Sequence, residues 1–291
     1  MGYGWYLLTL FGIYGAVAVS LALIVGDLGV LSVAQAAVMG TGAYLTALAQ
    51  RNAHLPFELS LLIGACGGAI LMLILSSVAN WLSRDRFVLA TVALQIGFTA
   101  IVQNLTNITG GAAGLPGIPG ISFFGHRLEP GRGVALAALS LLALSTLLVI
   151  AMRRGRYGYA LHCMRDAELF ARSIGLRTIW YRALPMGVAG MVAGLAGGML
   201  AGVLMFVDPS PYGLIESCLF LAMVSLGAGR NLALALCGTL LIVGIPEVLR
   251  FVGLQGALIG NVRQVIGAGI LALAAFIFFQ FGSDSRQRPR S

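Results

Sequence analysis

RRGRYGYALHCMRDAELFARSIGLRTIWYR, residues 153–182, holds seven of the 18 basic residues of this chain, all of them arginine. On either side the sequence is close to continuous hydrocarbon, so every apolar segment is placed relative to this one cluster of charge. Anionic lipid and the machinery of insertion hold arginine-rich loops on the cytoplasmic side of a membrane, and this segment is the expected cytoplasmic loop.

The 291 residues are 59% hydrophobic and 10% charged, with a mean hydropathy of +0.94. Soluble domains carry about 25% charged residues. The composition excludes that class and predicts an all-α, polytopic transmembrane helical bundle. The formal net charge of +8 reads as loops beside anionic lipid, and no nucleic-acid surface is expected. Cys66, Cys163, Cys218 and Cys237 stand singly, without metal or disulfide spacing, and read as small packing residues. The first apolar segment lacks the pattern of a cleaved leader and reads as a retained span.

Nine segments, in a range of eight to ten, approach the roughly 20 residues needed to cross a hydrocarbon core. They are 6–25, 29–49, 59–80, 87–106, 133–152, 183–206, 213–228, 231–249 and 264–281. The second carries Gln35, Gly40 and Gly42, and the seventh is short and follows Asp208, Pro209 and Pro211, so both are candidates for broken or re-entrant elements. With the 153–182 loop inside, cytoplasmic segments hold thirteen arginines and external ones five. The N-terminus is then outside and the C-terminus cytoplasmic. The expected organisation is one transmembrane domain over 1–283, which includes the cytoplasmic segment 153–182, and a basic cytoplasmic tail over 284–291.

Glycine is patterned. Gly190, Gly194, Gly198 and Gly202 recur every four residues, as do Gly64 and Gly68. That spacing places each set on one helical face and lets a neighbouring backbone approach closely. The loop after the fourth span is rich in glycine and proline and cannot be helical throughout, yet it carries Ile108, Leu115, Ile118, Ile121, Phe123 and Phe124. It is read as packing on the outer mouth of the bundle or as a plain connection.

Polar groups in hydrocarbon either bond a neighbouring helix or line a path. Both readings stay open for Gln35 and Gln95, and Gln103 and Asn104 lie near the outer end of the fourth span. No span carries a carboxylate, histidine or arginine near its midplane, which weakens an ion-coupled carrier, and Glu216 and Glu247 fall near span ends. No nucleotide-binding, zinc-protease or serine-hydrolase motif is present. The chain reads as a transport subunit, not an enzyme, with no catalytic residue, metal site or cofactor of its own.

On a helical wheel from Ala160, residues Ala160, Cys163, Met164, Ala167, Ala171 and Ile174 form one apolar stripe. Arg165, Glu168 and Arg172 take the other side, with Glu168 and Arg172 spaced for an ion pair, and Gly175 offers a stop. Leu169 projects from the charged face. Such a helix lies on the anionic leaflet or fits a groove on a soluble partner. An apolar residue on the water side favours the partner, with flanking Arg153, Arg154, Arg156, Arg177 and Arg182 holding the leaflet.

Three stretches in order, GVLSVAQAAVMGTGAYLTA (29–47), FVLATVALQIGFTAIVQNLTNITGGAAGLPGIP (87–119) and ALHCMRDAELFARSIGLRTIWYRALPMGVAGMVAGLAGGMLA (160–201), resemble the M-type inner-membrane permeases of branched-chain amino acid ABC importers. The likeness covers most of the chain. It implies a multi-pass subunit of a bacterial inner membrane that pairs with a homologous H-type permease, two cytoplasmic ATPase subunits, which bind the ATP, and a periplasmic solute-binding protein. It also implies that Arg165, Asp166, Glu168, Ala171 and Gly175 meet an ATPase; the wheel adds Leu169 and Arg172. Gln35, Gln95, Asn104 and the loop glycines Gly110 and Gly111 are the candidate path for a small polar solute. Relatives handling urea or short amides, and an ion-coupled secondary transporter, are the alternatives.

Overall fold

In a computed structural model of the chain, the structure describes residues 2–123, 126–129, 131–227 and 231–251, with the pairs 264–265 and 268–269. The ninth expected span (264–281), the tail (284–291) and Arg230 lie largely or wholly outside the described residues. So do the side chains of Phe123, His126, Arg172 and residues 245–251.

Helix α1 (Tyr3–Ala22) runs into a π-helical turn at Leu23–Asp27 and is followed by α2 (Gln35–Ala53), α3 (Phe57–Trp81) and α4 (Arg84–Asn104). A single turn, α5 (Thr106–Thr109), opens the long loop, after which come α6 (Arg132–Arg153), α7 (Gly155–Asp166), α8 (Glu168–Ser173) and α9 (Thr178–Leu204). The described chain closes with α10 (Leu214–Ser225) and α11 (Leu232–Phe251). Five stretches are long and apolar enough to cross a membrane: Tyr3–Asp27, Phe57–Trp81, Arg84–Asn104, Arg132–Arg153 and Thr178–Leu204. Each matches an expected segment to within a few residues.

Of the rest, the eighth is α11, whose side chains are described only to Gly244, and the second and seventh are broken or short. Residues 28–34 are not helical, and α2 begins only at Gln35. Helix α10 has 12 residues, a rise of about 18 Å, against a hydrocarbon core of about 30 Å.

Two short ribbons qualify the all-α expectation. β1 (Leu115–Pro116) pairs antiparallel with β4 (Phe206–Val207), and β2 (Ser122–Phe123) pairs with β3 (His126–Arg127). Both involve the glycine- and proline-rich loop, where helix is blocked and the backbone finds partners across strands instead. The β1–β4 ribbon ties that loop to the segment between α9 and α10.

Helix α9 packs along α3 and α2, and α1 packs along α6. The periodic glycines make the first of these contacts. A methyl group on Gly42 would overlap the Gly194 backbone, one on Gly68 would overlap the Gly190 carbonyl, and one on Gly64 or Gly194 would strike the facing backbone. A methyl on Gly198 would sit 2.5 Å from Thr46 Oγ1, and one on Gly202 would sit 2.8 Å from Ile121. Where lipid is as apolar as leucine, close packing of this kind is a main source of helix association.

The two ends of the bundle differ in chemistry. At one end Arg153 closes α6 beside Asp27, and Arg84 opens α4 with a hydrogen bond to the Arg165 carbonyl. At the other, Arg132 lies over the Trp5 ring at 5.7 Å, and Phe57, Ile121 and Val134 bury one another under the loop. These are called the basic end and the loop end below.

Candidate translocation and coupling sites

An α-helix leaves its first amides without intrahelical partners, and in hydrocarbon no water satisfies them. The start of α2 is buried, and side chains from two other helices cap it. Gln95 of α4 accepts from the Ala37 amide at 2.8 Å, and Ser217 of α10 accepts from the Ala36 amide at 3.0 Å. Thr91 accepts from the Val33 amide at 3.1 Å. Ser217 in turn donates to Gln95 Oε1 at 2.9 Å, and Gln95 Nε2 donates to the Tyr212 carbonyl at 2.7 Å. Gln95 therefore joins three elements: α2, α4 and the turn before α10. Gln35 donates to Ser20 of α1 at 3.3 Å.

Both glutamines named in the sequence thus meet around the start of α2, and both are fully buried. Of their two readings, helix-to-helix bonding describes this conformation. Asn104 stands apart at the loop end, exposed, with its amide donating to the Ala100 carbonyl at 2.8 Å. Gly110 and Gly111 adopt φ of +74° and +62°, left-handed backbone that glycine takes without a Cβ penalty. Thr109 buttresses this turn by donating to the Val102 carbonyl at 2.6 Å.

At the basic end the expected single amphipathic helix is two helices. Ala167 sits at φ −146°, ψ 71°, which ends α7, and α8 restarts at Glu168. Of the expected apolar stripe, Ala160, Met164 and Ala171 are buried and Cys163 is half-buried, whereas Ala167 and Ile174 are exposed. Long-range bonds explain the break. Arg165 turns inward to donate to the Gly26 carbonyl, and Glu168 is drawn to Arg182 at 2.6 Å. Gly175 terminates the segment at φ +84°.

Glu168 pairs with Arg182, the expected pairing with Arg172 falls on a side chain outside the described residues, and Arg182 is no leaflet anchor. It is buried, donating also to the Ala79 carbonyl at 2.9 Å and to Asn80 Oδ1 at 3.2 Å at the end of α3. Arg153 likewise faces inward, 2.7 Å from the Asp27 carboxylate. Asp166, Leu169 and Phe170 remain exposed.

The geometry is that of polar caps holding broken helices inside an apolar bundle, with an arginine-rich segment keyed into one end. Residues 5–279 match the family described as the branched-chain amino acid transport system permease component. The chain belongs to this family. Two curated relatives of this permease are the high-affinity branched-chain amino acid transport system permease proteins LivM of Salmonella typhimurium and Escherichia coli. Each is 32% identical over 126 residues, which is 42% of this chain and 30% of the relative. The permease thus matches under a third of the length of these relatives. No solved structure matches it.

Family and apolar helices together make the chain a multi-pass membrane transport permease. Several residues that organise its sites carry no signal in the sequence. Ser217 and Thr91 look like ordinary helix hydroxyls, yet Ser217 caps α2 and Thr91 holds the Val33 amide just before it. Asp27, buried at the π-helical end of α1, falls in the gap between the first two expected spans. Tyr44 and Tyr212, whose rings meet edge to face at 6.3 Å, stand in no motif.

Proposed function

We propose that this permease is the membrane-embedded subunit of an ATP-driven importer of branched-chain or related amino acids in a bacterial inner membrane. It works with a homologous permease, two ATP-hydrolysing subunits that bind the nucleotide and a solute-binding protein. The observation that carries this reading is the tip of α8, where Leu169 is 84% and Phe170 60% exposed beside the fixed Glu168–Arg182 pair. An apolar pair held next to placed charges suits a helix that enters a groove on a soluble partner.

The contacts of the segment suggest how closure of the ATPases reaches the path. Movement of α8 passes through Glu168 to Arg182, and so to α9 and the end of α3. Movement of α7 passes through Arg165 to Gly26, while the adjoining end of α6 passes it through Arg153 to Asp27. From there the non-helical residues 28–34 lead directly to the start of α2, whose caps on Gln95 and Ser217 hold the bundle shut. Releasing those caps opens the path, and remaking them closes it. Hydrogen bonds are suited to this role because they can be exchanged for solute or water contacts at small net cost.

Leu169→Ala and Glu168→Arg test the reading. In the assembled transporter both should lower uptake of radiolabelled L-leucine at least tenfold while the permease remains folded in the membrane. Unchanged uptake in both variants would remove the docking assignment. Urea or short amides are the alternative cargo, distinguished by which labelled solute accumulates. An ion-coupled carrier would take up solute without ATPase subunits.

A further inference from the structure

A buried hydroxyl without a hydrogen-bond partner is unfavourable for folding, so its retention asks for another cause. Tyr44, on α2, is 4% exposed, and among the described residues its hydroxyl has no partner. The phenol lies against Tyr212, ring centroids 6.3 Å apart at 65°, and Asp208 is within electrostatic reach of both rings. Asp208 is half-buried and follows the β1–β4 ribbon directly. A methyl group on Gly114 of the loop would sit 3.1 Å from its Cβ. Below these groups the Tyr212 carbonyl is held by Gln95. Asp208, the Tyr44 hydroxyl and the Gln95–Ser217 pair are therefore linked through Tyr212, between the ribbon at the loop end and the caps of α2.

We propose that Asp208, the Tyr44 hydroxyl and the faces of Tyr44 and Tyr212 form a recognition site for the ammonium group of an α-amino acid. A carboxylate supplies charge-assisted acceptance, a hydroxyl oxygen supplies a second acceptor, and two aromatic walls favour a cation. The set has no matching cation donor for a carboxylate, so it selects for the amine end of the solute. The site rests on the amino-acid reading above and extends it by naming the group recognised.

The experiment is binding of tritiated L-leucine to the purified transporter assembled without its binding protein, followed by scintillation proximity. Saturable binding is expected, with competition from 3-methylbutylamine, which lacks the carboxylate. No competition is expected from 4-methylpentanoate, which lacks the amine, or from sodium chloride at equal concentration. Asp208→Asn should weaken leucine binding about tenfold or more, with Asp208→Glu recovering part of it. Tyr44→Phe should weaken binding several-fold without lowering the unfolding temperature, because the hydroxyl it removes satisfies no partner in the fold. Leucine binding unchanged in both Asp208→Asn and Tyr44→Phe overturns the site, as does competition by 4-methylpentanoate or sodium. Leucine uptake without saturable binding overturns the site while leaving the transport reading intact. Absence of leucine uptake by the complete transporter overturns the amino-acid reading and the site with it.

Discussion

Gln95 Nε2 donates to the Tyr212 carbonyl at 2.7 Å while its Oε1 accepts from the Ala37 amide at 2.8 Å, so one side chain fastens the start of one broken helix to the approach of another. Both partners are backbone groups in a buried setting, and neither can turn to water.

Gln95→Leu strands the Ala37 amide and the Tyr212 carbonyl and removes one acceptor from Ser217. At about 1–3 kcal/mol for each buried group left unsatisfied, the loss should be about 3 kcal/mol or more, seen as a lower unfolding temperature in detergent. Gln95→Glu keeps the acceptor oxygen but replaces the Nε2 donor with a second oxygen, so it should recover only part of that loss.

Arg182 joins Glu168 of α8 to the carbonyl of Ala79 and the side chain of Asn80 at the end of α3. Arg182→Met should cost about 1–3 kcal/mol, less than a wholly buried pair, because the Glu168 side chain keeps 26% of its exposure. Glu168→Gln combined with it should cost less than the sum of the two single changes. A double-mutant cycle of unfolding free energies measures that coupling.

Asp27 is 3% exposed at its side chain and pairs with Arg153 at 2.7 Å across 126 residues of sequence. The carboxylate closes the π-helical turn from which residues 28–34 depart. Asp27→Asn should leave the helices in place and loosen that segment. Amide hydrogen exchange over 23–34 should quicken about tenfold or more, the loss of about 1.4 kcal/mol of local protection, while exchange in α3 and α9 stays unchanged.

How far these features can be read in the sequence depends on the range of the interaction that fixes them. A four-residue glycine period is local geometry, so the α9 face bearing Gly190, Gly194, Gly198 and Gly202 is visible in the string. The break before α2 also shows locally, through Gln35 and the glycines around it. The break at Ala167 does not, because the wheel treats 160–175 alone while Arg165 answers to Gly26 and Glu168 to Arg182. Arg182 reads as one more loop arginine until α3 supplies Ala79 and Asn80, more than 100 residues away in the chain. Ser217 acquires its role only when α2 is folded beside it.

Gly194 offers the sharpest test of the packing. A methyl there would meet backbone of α3, with the Ala65 Cα at 3.0 Å and the Gly64 carbonyl closer still. Backbone cannot rotate away as a side chain does, so α9 and α3 must separate. Gly194→Ala should therefore destabilise by about 1–3 kcal/mol, the ordinary cost of overpacking. Gly97 lies in the interior of α4 and a methyl there would meet nothing within 4 Å. Gly97→Ala removes only the conformational freedom of glycine and should stabilise by about 0.4–1 kcal/mol. Opposite shifts in unfolding temperature from the same one-carbon addition would show that α9 is held by contact at its glycines; equal shifts would mean that helix propensity, not close approach, sets the stability.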